Sequence, residues 1–190
     1  MEDIMKIYEQ FPTFENDDFL LRPVKDNDCT DLLEVYSDKN ALPFFNSDNC
    51  DGDNFYYATA KRMADAIQFW QTAYDNQWFA RWAIVDKSSA KAVGTIELCR
   101  RASEDAFDGA AILRIDVRSD YEQEAVLLKI CSLIVPPTFE LFDCEQIITK
   151  VPLYAIERTG AMQKAGFQKS EHLLVGKTGY AYDGYWSMKK

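Results

Sequence analysis

The sequence predicts an α+β fold on a mixed, mainly antiparallel sheet of six to seven strands, and three observations predict it. Strand-like stretches at residues 79–86, 92–98 and 110–117 follow one another with turns or loops between them, which calls for antiparallel hairpins. A helical stretch over 123–134 and a strand over 146–151 come next, which calls for one parallel crossover. The chain has 190 residues, 47% apolar and 14% aromatic. A chain of that length fits one domain and buries about 70% of its unfolded surface without a metal or disulfide. Residues 1–190 are therefore taken as a single domain, with 1–16 as an N-terminal extension.

Each element has a local reason. Residues 19–24 form a short strand ended by Pro23, and Asp26-Asn27-Asp28 offers N-cap side chains for a helix over 30–37. Residues 40–54 form a loop anchored by Leu42-Pro43-Phe44-Phe45. Met63, Ile67 and Trp70 recur at helical spacing within 56–74. In 110–117, Ala111, Leu113, Ile115 and Val117 point one way, and Ile112, Arg114 and Asp116 the other. The 123–134 helix is apolar almost all round and should break at Pro136-Pro137, with a short helical continuation over 138–142. A helix over 156–164 ends at Gly166, and strands over 171–176 and 180–188 flank a turn at Lys177-Thr178-Gly179.

Charge narrows the partners. With 21 basic and 31 acidic residues the net is −10, a sign that repels nucleic-acid backbones and anionic membranes and steers cations such as amines inward. Cys29, Cys50, Cys99, Cys131 and Cys144 are odd in number, have no C-x-x-C spacing and lie far from the single histidine, His172. They predict free thiols and no metal site, in a cytoplasmic protein. Met1-Glu2-Asp3 opens without a basic-then-apolar signal pattern, and the apolar run 125–135 is too short to span a bilayer.

Four segments, in order, resemble the GNAT N-acyltransferases, and most nearly the group that acetylates protein N-termini and small amines. They are Leu21-Arg22-Pro23 with Asp26, Val93-Gly94-Thr95-Ile96-Glu97-Leu98, Gln163-Lys164-Ala165-Gly166-Phe167, and Tyr182-Asp183-Gly184-Tyr185-Trp186-Ser187-Met188. The likeness covers about residues 17–189. It implies helices on both faces of the sheet, acetyl-CoA as cosubstrate, a small-molecule or peptide amine acceptor, direct transfer in a ternary complex and a fold that often dimerises. It further implies that pantetheine lies where the strands 110–117 and 146–151 part, hydrogen-bonding the backbone at Val117. Arg118, Gln123, Ala125 and Val126 would then surround the pyrophosphate at the following helix N-terminus.

That loop departs from the family pattern, Gln/Arg-x-x-Gly-x-Gly/Ala. Glu122 stands for Gln/Arg, Ala125 for the first glycine and Leu127 for the second small residue, with Glu124 and Asp120 adding charge. A carboxylate about 7 Å from a phosphate charge costs on the order of 1 kcal/mol, and two would weaken the cofactor roughly ten- to thirty-fold. Three readings stay open: the chain is an acyl-CoA-dependent N-acyltransferase whose loop acids are simply favourable first-turn residues of a helix, it is a degenerate relative that serves as a binding or interaction module, or the cofactor shifts toward Arg118 or Lys129.

For the chemistry, an amine acceptor needs a base, and Glu97 and Asp116 are the candidates at strand ends where the resemblance places the pocket. Ala155, Arg158 and Met162 stand where relatives carry an asparagine, a serine and a tyrosine acid. His172 is expected on a strand, away from the acyl position. Trp70, Trp78, Phe79 and Trp82 are placed either in the core or along an acceptor pocket.

Overall fold

Among the described residues, eight strands align in one sheet in the order β1-β2-β3-β4-β5-β6-β10-β7, one more than the predicted upper count. The structure, a computed structural model, describes residues 5–190; Met1-Glu2-Asp3 lie outside them. The strands are β1 (Phe14–Glu15), β2 (Phe19–Pro23), β3 (Ala80–Asp86), β4 (Lys91–Arg100), β5 (Ala111–Val117), β6 (Gln146–Lys150), β7 (Gln168–Lys169) and β10 (Tyr185–Lys189). All neighbours are antiparallel except β5 and β6, the parallel pair that the crossover requires. A separate hairpin pairs β8 (Leu174–Val175) with β9 (Ala181–Tyr182).

Alternation along the strands sets what each face buries. On one face Leu113, Ile115 and Val117 meet Leu127, Ile130 and Ile134 of α4 (Glu124–Leu141), with Ala161 and Met162 of α5 (Ile156–Lys164) and Ile7 of α1 (Lys6–Glu9) in the same cluster. On the other, Ala83 and Val85 meet Leu32 and Val35 of α2 (Cys29–Tyr36) and Met63 and Ile67 of α3 (Ala60–Asp75). Each such side chain, fully buried, contributes about 1.5–3 kcal/mol. Beside this second layer, Phe107 and Leu174 cover Ile112, Ile148 and Tyr185. The N-terminal segment is built into the first layer: Ile7 is fully buried, and the Trp82 indole donates to the Pro12 carbonyl at 3.0 Å.

Three expectations are corrected. The helix α4 runs unbroken through Pro136 and Pro137. Pro136 faces solvent, where carbonyls left without a donor can bond water, while Val135, Thr138 and Phe139 stay buried. The long C-terminal strand is divided at Asp183–Gly184, where Gly184 takes φ +78°, a value only glycine adopts freely, so β9 leaves the main sheet and β10 joins it. His172 consequently lies in the loop between β7 and β8 rather than on a strand.

The pairing that matters most is the shortest. Parallel β5 and β6 pair only at Ala111–Ile147, Ile112–Ile148 and Leu113–Thr149. Beyond that point β5 pairs with β4 alone, and the Val151 amide turns to the Gly184 carbonyl at 2.9 Å. The strands part where the resemblance requires it. Among the described residues, no helix is long and apolar enough to cross a membrane.

Candidate functional site

Antiparallel register brings five polar residues onto one face of the central strands. Arg81 lies opposite Glu97, Glu97 opposite Arg114, and Thr95 opposite Asp116. The Glu97 carboxylate, only 5% exposed, accepts from Arg81 on one oxygen and from Arg114 on the other. Arg81 also donates to the Tyr36 hydroxyl and Thr95 Oγ1, each at 2.9 Å, and its guanidinium lies 4.2 Å from the Trp70 ring. Burial pushes the Glu97 carboxyl upward, but the Arg81 and Arg114 charges overcome this and hold it below the usual glutamate range.

Asp116 behaves oppositely. Burial pushes its carboxyl above the ordinary aspartate value, with Arg81 and the Tyr36 hydroxyl only partly offsetting it. Its Oδ2 accepts from Tyr36 at 2.9 Å, whereas Oδ1 has no partner among the described residues. Thus both candidate bases are in the central cluster, buried and held by neighbouring side chains. A general base must lie within hydrogen-bond reach of the proton it takes, and both Glu97 oxygens are already engaged.

The presumed pyrophosphate loop is equally occupied. After β5 the chain makes a 3-10 turn at Ser119–Tyr121, and Gln123 is the N-cap residue of α4. Arg118, the one cation of the loop, donates to Asp120 at 2.7 and 2.9 Å and to Glu34 at 2.9 Å. The Gln123 side chain returns to the Asp120 carbonyl at 2.6 Å. Ala125 is exposed and Val126 half-buried in the first turn of α4, while Leu127 is wholly buried in the core.

From across the cleft, α5 supplies the rest. Arg158, 2% exposed, donates to both oxygens of Glu122 at 2.7 Å, a fork-to-fork pair. Burial opposes the Arg158 charge, and the Glu122 bond overcomes it. The Glu124 backbone amide, which a bound anion would use, already donates to Glu157 Oε2 at 2.8 Å. Lys164 pairs with the Glu124 carboxylate, and a β-carbon on Gly160 would collide with that same carboxylate. Three acids thus face two bases at this helix end. These residues do not fit a pyrophosphate: its charge would meet Glu122, Glu124 and Glu157, and the first amide of the helix, that of Glu124, is taken.

An open cavity of about 580 Å³ lies between the 43–48 loop, the turn after β6 and the β7–β8 loop. Its apolar wall includes Phe44, Leu153 and Tyr154, and the Tyr154 hydroxyl donates to the Pro43 carbonyl at 2.5 Å, joining the two sides. Asp48 at its base is held by Lys150 at 2.5 Å and by the Tyr185 hydroxyl at 3.2 Å. Glu171, Asp183, Lys169 and His172 complete the polar lining, with His172 edge-on to Phe107 at 6.2 Å between centroids. Of the four aromatics considered for a pocket, Trp70 and Trp82 are buried, Phe79 packs against the α2–α3 layer and Trp78 is exposed; none lines this cavity. Among the described residues, no group of three or more His, Cys, Asp or Glu could hold a metal ion.

Sequence reasoning singled out Glu97, Asp116, Glu122 and Arg158 but missed Arg81 and Arg114, the counter-ions of the first two, and the cavity residues Asp48, Lys150, Glu171 and Asp183. The only available signals were the anchored loop at 42–45 and the substitution at Arg158.

No family model matches the sequence, and no curated protein matches it. Solved structures do match in fold. A GNAT-family acetyltransferase from Bacillus anthracis aligns over 94% of this chain and 98% of its own, at TM-score 0.68 and 12% identity. The ribosomal-protein-S5-alanine acetyltransferase of Vibrio fischeri aligns over 94% and 96%, at TM-score 0.69 and 14% identity. Mycobacterium smegmatis RimJ, solved in complex with CoA-disulfide, aligns over 94% and 86%, at TM-score 0.69 and 12% identity. In its strand order, its parted parallel pair and its helices on both faces, this chain has the fold of the GNAT acetyltransferases.

Proposed function

We propose that this chain is a catalytically degenerate GNAT-fold protein that binds a cationic, apolar ligand such as an aryl- or alkylamine, free or at the end of a peptide. The observation that carries the proposal is the state of Glu97: this carboxylate, which the resemblance offers as a base, is clasped by Arg81 and Arg114 and buried. One open cavity, of about 580 Å³, has its Lys150 neutralised by Asp48 and carries Glu171 and Asp183 against Lys169. Aromatic and aliphatic walls with an acidic rim suit an amine with an apolar arm, and the net charge of −10 draws cations toward it.

The test uses 2-phenylethylamine and its anionic counterpart 3-phenylpropionate in thermal unfolding. A ligand at 100 times its dissociation constant adds about 2.7 kcal/mol, so the amine is expected to raise the melting temperature and the acid to leave it unchanged. Equal shifts with both, or none with the amine, would remove the reading. With acetyl-CoA added, mass spectrometry should find no acetylated amine.

A second reading has its own support in the parting of β5 and β6 beyond Leu113 and Thr149. It is N-acetyl transfer from acetyl-CoA to an amine in a ternary complex, with Glu97 or Asp116 as base and Val117, Arg118, Gln123, Ala125 and Val126 around the cofactor. Turnover of the amine in the same assay would favour it.

A further inference from the structure

We infer that α5 carries a built-in counter-ion set for the α4 N-terminus, which closes that helix end to CoA and pins the two helices together. The set follows from helical spacing. Glu157, Gly160 and Lys164 fall at i, i+3 and i+7, one stripe of α5, and Arg158 stands beside it. Each residue meets a specific feature of the opposite loop. Glu157 takes the Glu124 amide, Arg158 grips Glu122 with two bonds, Gly160 leaves room for the Glu124 carboxylate, and Lys164 neutralises it.

Were the loop acids simply solvated first-turn residues, they would face water. Glu122 does not: its side chain is 6% exposed and its partner's 2%. The complementarity also runs both ways along the sequence. The first loop acid, Glu122, is matched by Arg158, and the next, Glu124, is matched by Gly160 and Lys164. An incoming diphosphate would break one contact and meet two unrelieved charges. It would have to displace Glu157 from the Glu124 amide, then sit beside Glu122 and Glu124 with Arg158 and Lys164 still committed to them. Arg118, the remaining loop cation, is held by Asp120 and Glu34. Exclusion of CoA is therefore a property of the α5 side chains as much as of the loop, and it is independent of what the cavity binds.

The experiment is calorimetric titration of CoA into the full chain and into the Glu122→Gln, Glu157→Gln double variant. That variant removes two negative charges and, since an amide oxygen accepts more weakly than a carboxylate, loosens the hold on the Glu124 amide and the Arg158 guanidinium. Wild type is expected to give no binding heat at about 1 mM CoA, and the folded double variant to bind at least about tenfold more tightly than the wild-type limit. Tight CoA binding by wild type overturns the inference, and so does a folded double variant that gains nothing. Should the double variant fail to fold, Glu157→Gln alone carries the test, because it alters an exposed contact. It should bind CoA several-fold more tightly and speed hydrogen exchange at the Glu124 amide, and no change in either quantity overturns the inference. An amine shift without a CoA effect, or the reverse, separates this inference from the proposed ligand.

Discussion

Arg158→Met tests the α4–α5 clamp through stability. Methionine keeps length and apolar bulk but removes the charge, leaving the Glu122 carboxylate in a site where the pair is 2% and 6% exposed. Breaking a buried pair by removing one partner costs about 3–5 kcal/mol, since the surviving charge is left uncompensated. For a chain of this size about 2–4 °C of melting temperature accompany each kcal/mol, so the drop should be roughly 6–20 °C. Adding Glu122→Leu removes the stranded charge, and the double variant should recover most of the loss, because apolar replacement of a whole buried pair is often neutral. Lys164→Ala is the internal control: with the lysine 60% exposed, its pair with Glu124 should contribute only about 0–1 kcal/mol. Urea unfolding followed by tryptophan fluorescence, to which buried Trp70 and Trp82 contribute, measures all four chains. A cost under about 1 kcal/mol for Arg158→Met, or losses that simply add in the double variant, would refute the reasoning.

Two further outcomes follow from the same contacts. Gly160→Ala would gain about 1 kcal/mol in a free helix; here the new β-carbon must push the Glu124 carboxylate off its Lys164 pair, so urea unfolding should show a smaller gain. Stability should also depend on pH in two opposite ways. Glu97 lies below the usual range once the arginines overcome its burial, and Asp86 and Asp105 are each held near about 2, where hydrogen-bond donors overcome burial. Depressed carboxyls stabilise the fold above their unfolded values of about 4 and lose that contribution as pH falls through the folded ones. Asp116, raised by burial, stabilises below about 4 and loses its contribution as pH rises through its folded value. Urea midpoints across pH should show the acid-side loss in wild type and in Asp116→Asn alike, with the loss on raising pH reduced in the variant.

Much of this fold was legible because its strands alternate and its helices are amphipathic. Leu113, Ile115 and Val117 were assigned to one face from the pattern of two, and they lie there. Failures came where a tertiary contact overrode a local rule. Buried Val135, Thr138 and Phe139 hold α4 together across two prolines, and a positive-φ glycine at 184 sends β9 and β10 to different sheets. The site was legible only by halves. Glu97 stands out as a strand-end acid, but its partners Arg81 and Arg114 lie 16 and 17 residues away and become neighbours only through antiparallel register. Glu122 and Arg158 were each visible as a departure from the family pattern. They are 36 residues apart, and their union requires α5 to dock on the start of α4. Charge alone could not show that one departure answers the other.

The most direct measurement is isothermal titration of CoA and acetyl-CoA into the intact wild-type chain at physiological ionic strength, where salt screens the general repulsion from a net charge of −10. The closed helix end gives no saturable heat up to about 1 mM for either ligand, whereas a dissociation constant of about 10 μM or less, worth roughly 7 kcal/mol, would contradict the account.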